Sequence, residues 1–307
     1  MSLRINNNIE SMNAHRNLLM NDRALSKSLE RLASGQKINR AADDPAALVI
    51  SEHMRAQVSG MEQAIRNNEV AISLVQTAEG SMNEISSILV SLRQRAISAA
   101  NVGASDQDMI DANQAEIENA LASIDRVVST TQFGHYKLLD GTNAAKTETN
   151  EDGSISTREG LRFHVGPNAE HMASTSIRDM STSALGRVTV KEGEMPNKSN
   201  FMSLADIDVR NEQGAQDALA IIDQALTEVA SVRGELGAFQ KHTLESNLTS
   251  LQVAAENMTA AESTIRDTDM AQELATFTRN KIMTQSATAM LAQANAMPQH
   301  VLRLLNG

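Results

Sequence analysis

Apolar residues return at alternating steps of three and four along most of this chain, and a chain patterned that way is confined to long amphipathic helices. Ile5, Ile9 and Met12, then Leu18, Leu25, Leu29 and Leu32, trace a narrow seam with one slip between the two sets. A longer seam runs through Met54, Val58, Met61, Ile65, Asn68, Ile72 and Val75 and resumes with Ile85, Leu89, Leu92, Ala96 and Ala99. Asn68 is polar there and reads either as a register-fixing contact or, more simply, as a solvated position. Ile110, Ile117, Leu121, Ile124 and Val128 mark a third helix, opened by Ser105 and Asp108 in capping-box spacing and able to fold back on the second. Leu219, Ile222, Leu226, Val229 and Leu236 mark a fourth; its phase shifts around Gly234 and Gly237 before Leu244, Leu248, Leu251, Ala255, Met258 and Ile265. The last seam holds Met283, Ala287, Met290, Ala294, Met297, Val301 and Leu304, with Pro298 expected to weaken or bend it.

Two interruptions separate the end segments from the body. In the first, Gly35 suits the left-handed residue that closes a helix, Asp44 suits the N-cap of the next, and Pro45 suits its first position, where no N–H is required. The second is Arg266-Asp267-Thr268-Asp269. Neither is a flexible Gly/Ser linker. Between the helices lies a stretch of another kind. Asn150-Glu151-Asp152-Gly153-Ser154 is a hairpin turn signal, Leu161, Phe163 and Val165 alternate as in a strand, and Leu185 to Val190 reads as another short strand. The fold class is therefore mainly α: a long helical bundle with coiled-coil terminal helices and a small β-hairpin element in the middle.

Composition agrees with that plan. Aromatic residues make up 2% of the 307, with one Tyr and no Trp, and side chains such as Ala, Ser and Met let helices approach closely. The absence of cysteine excludes disulfides and thiolate chemistry. No stretch reaches the apolar length of a membrane span, and the N-terminus lacks the apolar core of a secretory signal. The net charge is −11, and both ends are mildly basic on an acidic body, but their charges lie between apolar helical positions without aromatic partners for bases. Neither nucleic acid nor membrane is expected as a partner.

No catalytic constellation is visible, and none of the seven histidines pairs with another at metal-ligand spacing. Asp43-Asp44, Asp206-Ile207-Asp208 and Asp267-Thr268-Asp269 could bind a cation, but each lies at an element boundary, where capping explains it better. The methionines at helical spacing read as adaptable packing. No enzyme activity, cofactor or metal is expected. The excess of apolar helical face remains: two terminal helices cannot bury both seams against each other, which calls for burial between molecules.

The residues themselves resemble the bacterial flagellins. The stretch from Leu29 to Ser51 looks like the family's N-terminal signature, as do Arg66-Asn67-Asn68, Gln76-Thr77-Ala78-Glu79-Gly80, Thr131-Gln132-Phe133 and Lys137-Leu138-Leu139-Asp140-Gly141. At the other end are Glu256-Asn257-Met258-Thr259-Ala260-Ala261-Glu262-Ser263, Ile265-Arg266-Asp267-Thr268-Asp269-Met270-Ala271 and Ala289-Met290-Leu291-Ala292-Gln293-Ala294-Asn295. The resemblance implies a subunit that polymerises into the helical flagellar filament for swimming, exported by the flagellar type III route without a cleaved signal peptide and ending outside the cell. It divides the chain into an inner coiled-coil helix (1–35), a spoke linker (36–45), outer-layer helices (46–140), a small β-rich surface region (141–210), an outer-layer C-terminal helix (211–266) and a second inner coiled-coil helix (267–307).

By the same resemblance Leu18, Leu25, Leu29, Leu32, Met283, Met290, Met297, Val301 and Leu304 pack the inner tube, and Gly35, Asp43, Asp44 and Pro45 form the spoke turn. The implied partners are further copies of the chain, an export chaperone on the C-terminal helix around Leu274 to Leu305, and the filament cap and hook-junction proteins. Where relatives recognised by the host innate receptor for flagellin present Arg and Leu, this chain has Ser91 and Arg95. Glu116 is retained, and the departures argue against recognition. Two alternatives stay open: a hook-filament junction protein, which shares similar ends, and a soluble coiled-coil binding module.

Overall fold

The computed structural model describes residues 8–101, 106–144, 146–149, 155–158, 160–187 and 197–306, and in 146–149, 155–158 and 298–306 the backbone alone. Its helices are α1 (Ile9–Ser34), α2 (Pro45–Ala99), α3 (Gln107–Thr130), α4 (Glu212–Ala238), α5 (Ser246–Arg266) and α6 (Met270–Asn306). Strands β1 (Gln132–Phe133), β2 (Tyr136–Lys137), β3 (Lys146–Thr149), β4 (Ile155–Arg158), β5 (Leu161–His164) and β6 (Met172–Thr175) pair consecutively into three antiparallel ribbons. The chain forms two compact units, residues 1–59 with 255–307, and residues 60–254.

In the unit of residues 60–254, α2 buries Met61, Ala64, Asn68, Ala71, Val75, Ala78, Met82, Ile85, Leu89, Leu92, Ala96 and Ala99, an unbroken alternation of three and four. The buried line passes through Ala64 and Ala71, whereas Ile65 and Ile72, the larger residues that the apolar spacing selects, are half-buried beside it. The core is completed by Ile117, Ile124 and Val128 of α3, by Ile222, Val229 and Leu236 of α4, and by Leu138, Leu139, Ile177 and Met180 from the segment between them.

Asn68 is not solvated: it is fully buried, and its Nδ2 donates to the carbonyls of Ala64, at 2.8 Å, and Val165, at 3.2 Å. The same Val165 carbonyl accepts from Nδ2 of Asn247 in α5, and Asn67 donates to the carbonyl of His164 at 3.1 Å. Three asparagines thus hold the end of β5. A strand end left in an apolar core needs such donors, because a bare buried carbonyl is costly.

The phase shift near Gly234 and Gly237 has a structural cause. In α4 the buried positions Ala218, Ile222, Ala225, Val229, Val232 and Leu236 keep the three-four alternation, but the next buried residues are Leu244 and Leu251. One extra residue separates Leu236 from Leu244, and a π-helical stretch, Phe239–Glu245, absorbs it by adding a residue to the turn. Gln240 donates to Glu245 five positions on, at 2.8 Å, and Phe239 meets Phe163 of β5 with ring centroids 6.2 Å apart. The helix therefore continues from Glu212 to Arg266 without a break.

Two local expectations need revision. The N-cap of α3 is Asp106, with no side-chain cap bond, and Ser105 lies outside the described residues. Leu185 and Gly186 lie in a turn, with Gly186 at φ 65, Arg187 is not in a strand, and residues 188–190 lie outside the described residues. The expected turn at 150–154 also lies outside them, but β3 and β4 on either side are paired, Thr149 opposite Ile155. In the β1–β2 hairpin Gly134 takes φ 62 and is followed by His135, placing the positive angle at the first turn position as in type II′.

Two outcomes test this account. Asn68→Ala leaves Val165 one donor and should cost about 1 kcal/mol in urea unfolding, while Asn68→Ala with Asn247→Ala bares the carbonyl and should cost about 1–3 kcal/mol more than the two single changes added. Additive costs would show that the shared acceptor is unimportant. Deleting Lys241, an exposed residue within the π-helical stretch, should leave a folded protein with a regular α-helix there, read by amide exchange and circular dichroism. Deleting Ala230 from α4 should unfold the body, and equal damage from both deletions would remove the π-helical explanation.

Candidate assembly surfaces

Within the unit of residues 1–59 and 255–307, α1 and α6 pack antiparallel along their length. Asn8 donates to the carbonyl of Ala294 at 2.8 Å and Ser11 Oγ to Asn295 Oδ1 at 2.7 Å near one end. Arg31 faces Glu273 at 3.6 Å at the other. Between them Asn280 donates to Ser28 Oγ. Among the described side chains of this helix pair the buried members are polar: Ser28 in α1 and Glu273 in α6, 3% and 9% exposed. Small residues let the backbones approach closely, and they leave little apolar surface inside the pair.

The nine residues expected to pack the inner tube divide accordingly. Leu18, Leu25 and Leu32 are half-buried on the seam, whereas Leu29 points outward at 57% exposure. Met283, Met290 and Met297 do not lie on the intrachain seam, which passes instead through Phe277, Thr284, Ala287 and Leu291. With Met20 of α1 they line an open groove of about 1000 Å³, Met290 being 64% exposed. Val301 and Leu304 lie where only the backbone of α6 is described. Ile9, Met12, Leu19, Leu274 and Ile282 are also exposed, so both helices carry apolar surface outward.

The four spoke-turn residues come together at the end of α1. Gly35 is the left-handed C-cap at φ 71, donating to the carbonyl of Arg31, and Pro45 is the first residue of α2. Asp44 Oδ1 accepts the Ala47 N–H at 3.0 Å. Asp43 Oδ2 accepts the N–H groups of Asn39 and Arg40, and its other oxygen lies 2.7 Å from the Lys27 ammonium. Hydrogen bonding to Lys27, then to the backbone of Arg40, holds the Asp43 carboxyl at about 2, below its usual 3.8.

Sequence reasoning missed the partner strand of this turn. Thr268 donates its N–H to the carbonyl of Gly35 at 2.9 Å, and Lys37 donates to the carbonyl of Arg266 at 2.7 Å, so Gln36 and Asp267 form a short antiparallel bridge joining the two interruptions. Arg266 then reaches Glu52 at 2.7 Å, and this contact lowers the Glu52 pKa.

All three carboxylate pairs act as caps or turns. Asp206 accepts from the N–H groups of Met202 and Ser203, Asp208 from that of Arg210, and Asp269 from those of Ala271 and Gln272. Among the described residues no group of His, Asp or Glu could hold a metal ion. On the face of α2 and α3, Arg95 pairs with Glu116 at 2.7 Å, both side chains remain about half exposed, and Ser91 is exposed beside them.

The family patterns described as bacterial flagellin N-terminal and C-terminal helical regions match residues 5–144 and 219–305. The chain is 41% identical over 313 residues to a flagellin of Bacillus subtilis, covering 99% of this chain and 100% of that one. It is 39% identical over 302 residues to a 30.7 kDa flagellar filament core protein of Treponema maltophilum, covering 98% and 99%. Among solved structures, a putative flagellar hook-associated protein from Vibrio parahaemolyticus shares the fold with a TM-score of 0.56, at 14% identity, over 73% of this chain and 100% of that one. With both helical regions present in order and full-length identity of this size, the chain belongs to the bacterial flagellin family.

Proposed function

We propose that this chain assembles through the outward apolar side of the α1–α6 pair, that side becoming the subunit contact of the inner tube. As a flagellin it is a structural, non-enzymatic subunit that polymerises with copies of itself into the extracellular flagellar filament used for motility. The observation that carries the proposed contact is the inversion of the helix pair: Ser28 and Glu273 are inside while Leu29, Met20 and Met290 are outside. Burying one such side chain is worth about 1.5–3 kcal/mol, and neighbouring subunits supply the burial that the single chain does not.

In this reading residues 1–35 and 267–307 form the inner layer and 36–45 the spoke. Residues 46–140 and 211–266 form the outer helical layer, and 141–210 the small surface region. The bridge between Gln36 and Asp267 supports a spoke of fixed shape. Exposed Leu274, Ile282 and Met290 support the export chaperone's binding along α6 by a helix-in-groove contact before assembly, and the same ends meet the cap and hook-junction proteins. The engagement of Arg95 with Glu116, together with Ser91, supports the expectation that the innate receptor does not bind this face.

Seeded polymerisation of the purified chain followed by electron microscopy tests the assembly surface. Leu29→Asp and Met290→Glu should leave monomer helicity and melting unchanged, since both side chains are exposed in the single chain, and should abolish long tubes. Because the α1–α6 seam buries so little apolar surface, its amides should exchange quickly in the monomer and slowly in the filament. Normal tubes from both variants would put the contact elsewhere.

The spoke makes a prediction about acid. Asp43 has a folded pKa below its unfolded value, so its contribution is present above about 3.8 and lost as pH falls through about 2. Lys27→Met removes the first cause of that depression and should raise the Asp43 pKa towards 3.8, read by the NMR titration of its carboxyl carbon. High salt should act in the same direction, since the ammonium is half exposed. An unchanged titration in Lys27→Met would assign the depression to the backbone donors alone.

A further inference from the structure

We propose that Met20, Met283, Met290 and Met297 form an oxidation site in the unassembled chain, and that sulfoxide at these positions excludes a subunit from the filament. The inference rests on the assembly surface proposed above. Four of the 13 residues lining the α1–α6 groove are methionine, whereas the whole chain has 16 in 307. Three of them repeat every seven residues on α6, about 10 Å apart by helix rise, with Met20 facing them from the antiparallel α1. Their exposures run from 43% to 64%, as open to oxidant as Met109, Met172 and Met202 of the other unit, whereas Met61, Met82 and Met180 there are buried. Leucine would fill such a surface as well. Methionine adds an adaptable contact, and it also adds a thioether that peroxides can reach.

The co-reactant is a two-electron peroxide such as hydrogen peroxide. The thioether sulfur attacks one peroxide oxygen, the O–O bond breaks and an S–O bond forms. A proton passes from the bound oxygen to the departing one, which leaves as water. Sulfur is oxidised by two electrons and the peroxide is reduced by two. The product is a polar, chiral sulfoxide on a flexible side chain, which then has to be buried in the subunit contact without a built partner. No cysteine is present to take the oxidant first. Once assembled, the groove is covered and its sulfurs are shielded, so the site is open only before polymerisation.

The test is a partition experiment on the wild-type chain. Monomer is oxidised with hydrogen peroxide to an average of about one sulfoxide per chain, freed of peroxide and seeded. Tubes and residual monomer are then separated and each methionine is quantified by peptide mass spectrometry. Sulfoxide at the four groove positions should be depleted from the tubes relative to the residual monomer by about tenfold. Met109, Met172 and Met202, exposed at 52%, 48% and 52% outside the α1–α6 pair, should partition evenly. Equal partition at all seven positions would overturn the proposal. Peroxide-free chain seeded in parallel tests the assembly reading on its own: if it forms no tubes, that reading fails; if it forms them and groove sulfoxides enter freely, only this inference fails. Met290→Leu, which keeps the contact apolar, should lessen the loss of yield on oxidation, and sensitivity equal to wild type in that variant, with even partition at the other three groove sites, would also count against it.

Discussion

Close approach of helix backbones over small side chains is the constraint on which this molecule depends. In α2 the buried line passes through Ala64, Ala71 and Ala78; in the α1–α6 pair buried Ser28 and half-buried Thr284 and Ala287 share the seam with half-buried Leu18, Leu25, Leu32 and Leu291. A helix that turns its small residues inward has its larger apolar residues on the flanks. In the body those flanks are covered by α3, α4 and the loops, which supply Ile124, Val229 and Leu139. In the terminal pair, among the described residues, Met20, Leu29 and Met290 stay exposed. The interior of one pair is too thin to saturate its own apolar face, and polymerisation follows from the same side-chain choice that allows the helices to meet.

This constraint also decides how much could be read beforehand. Every long helix was legible from spacing, because the three-four rhythm survives even where the seam residue is alanine. The identity of the seam was less legible. Large residues draw attention to Ile65 and Met290, but small neighbours hold the contact, and spacing alone does not distinguish the inward face of a helix from an equally apolar outward one. The phase slip near Gly237 was visible as a slip, yet whether the helix would break or widen depended on Leu244 and Phe239 both having somewhere to pack. Asn68 was visible as an anomaly. Its meaning required the Val165 carbonyl, 97 residues away in sequence.

The spoke illustrates the same division between local and distant information. Gly35, Asp44 and Pro45 act through their own backbone or that of near neighbours, so their residue types declare them. Asp43 also depends on Lys27, 16 residues earlier and inside α1, and the bridge pairs Gln36 with Asp267 from the opposite end of the chain. Neither distant partner has a special residue type. The bridge uses main-chain groups, which every residue carries, and so leaves no mark in the sequence.

The small β1–β2 hairpin has a further consequence. Tyr136 is the chain's one tyrosine, there is no tryptophan, and the ring stands 67% exposed beside the Gly134-His135 turn. Near-ultraviolet absorbance and intrinsic emission of the whole protein therefore come almost entirely from one ring at one place. Unfolding of the long helices will be nearly silent in such a signal. Quenching, polarisation or nitration of that ring will report on the hairpin surface alone, a built-in optical label whose position needs no engineering.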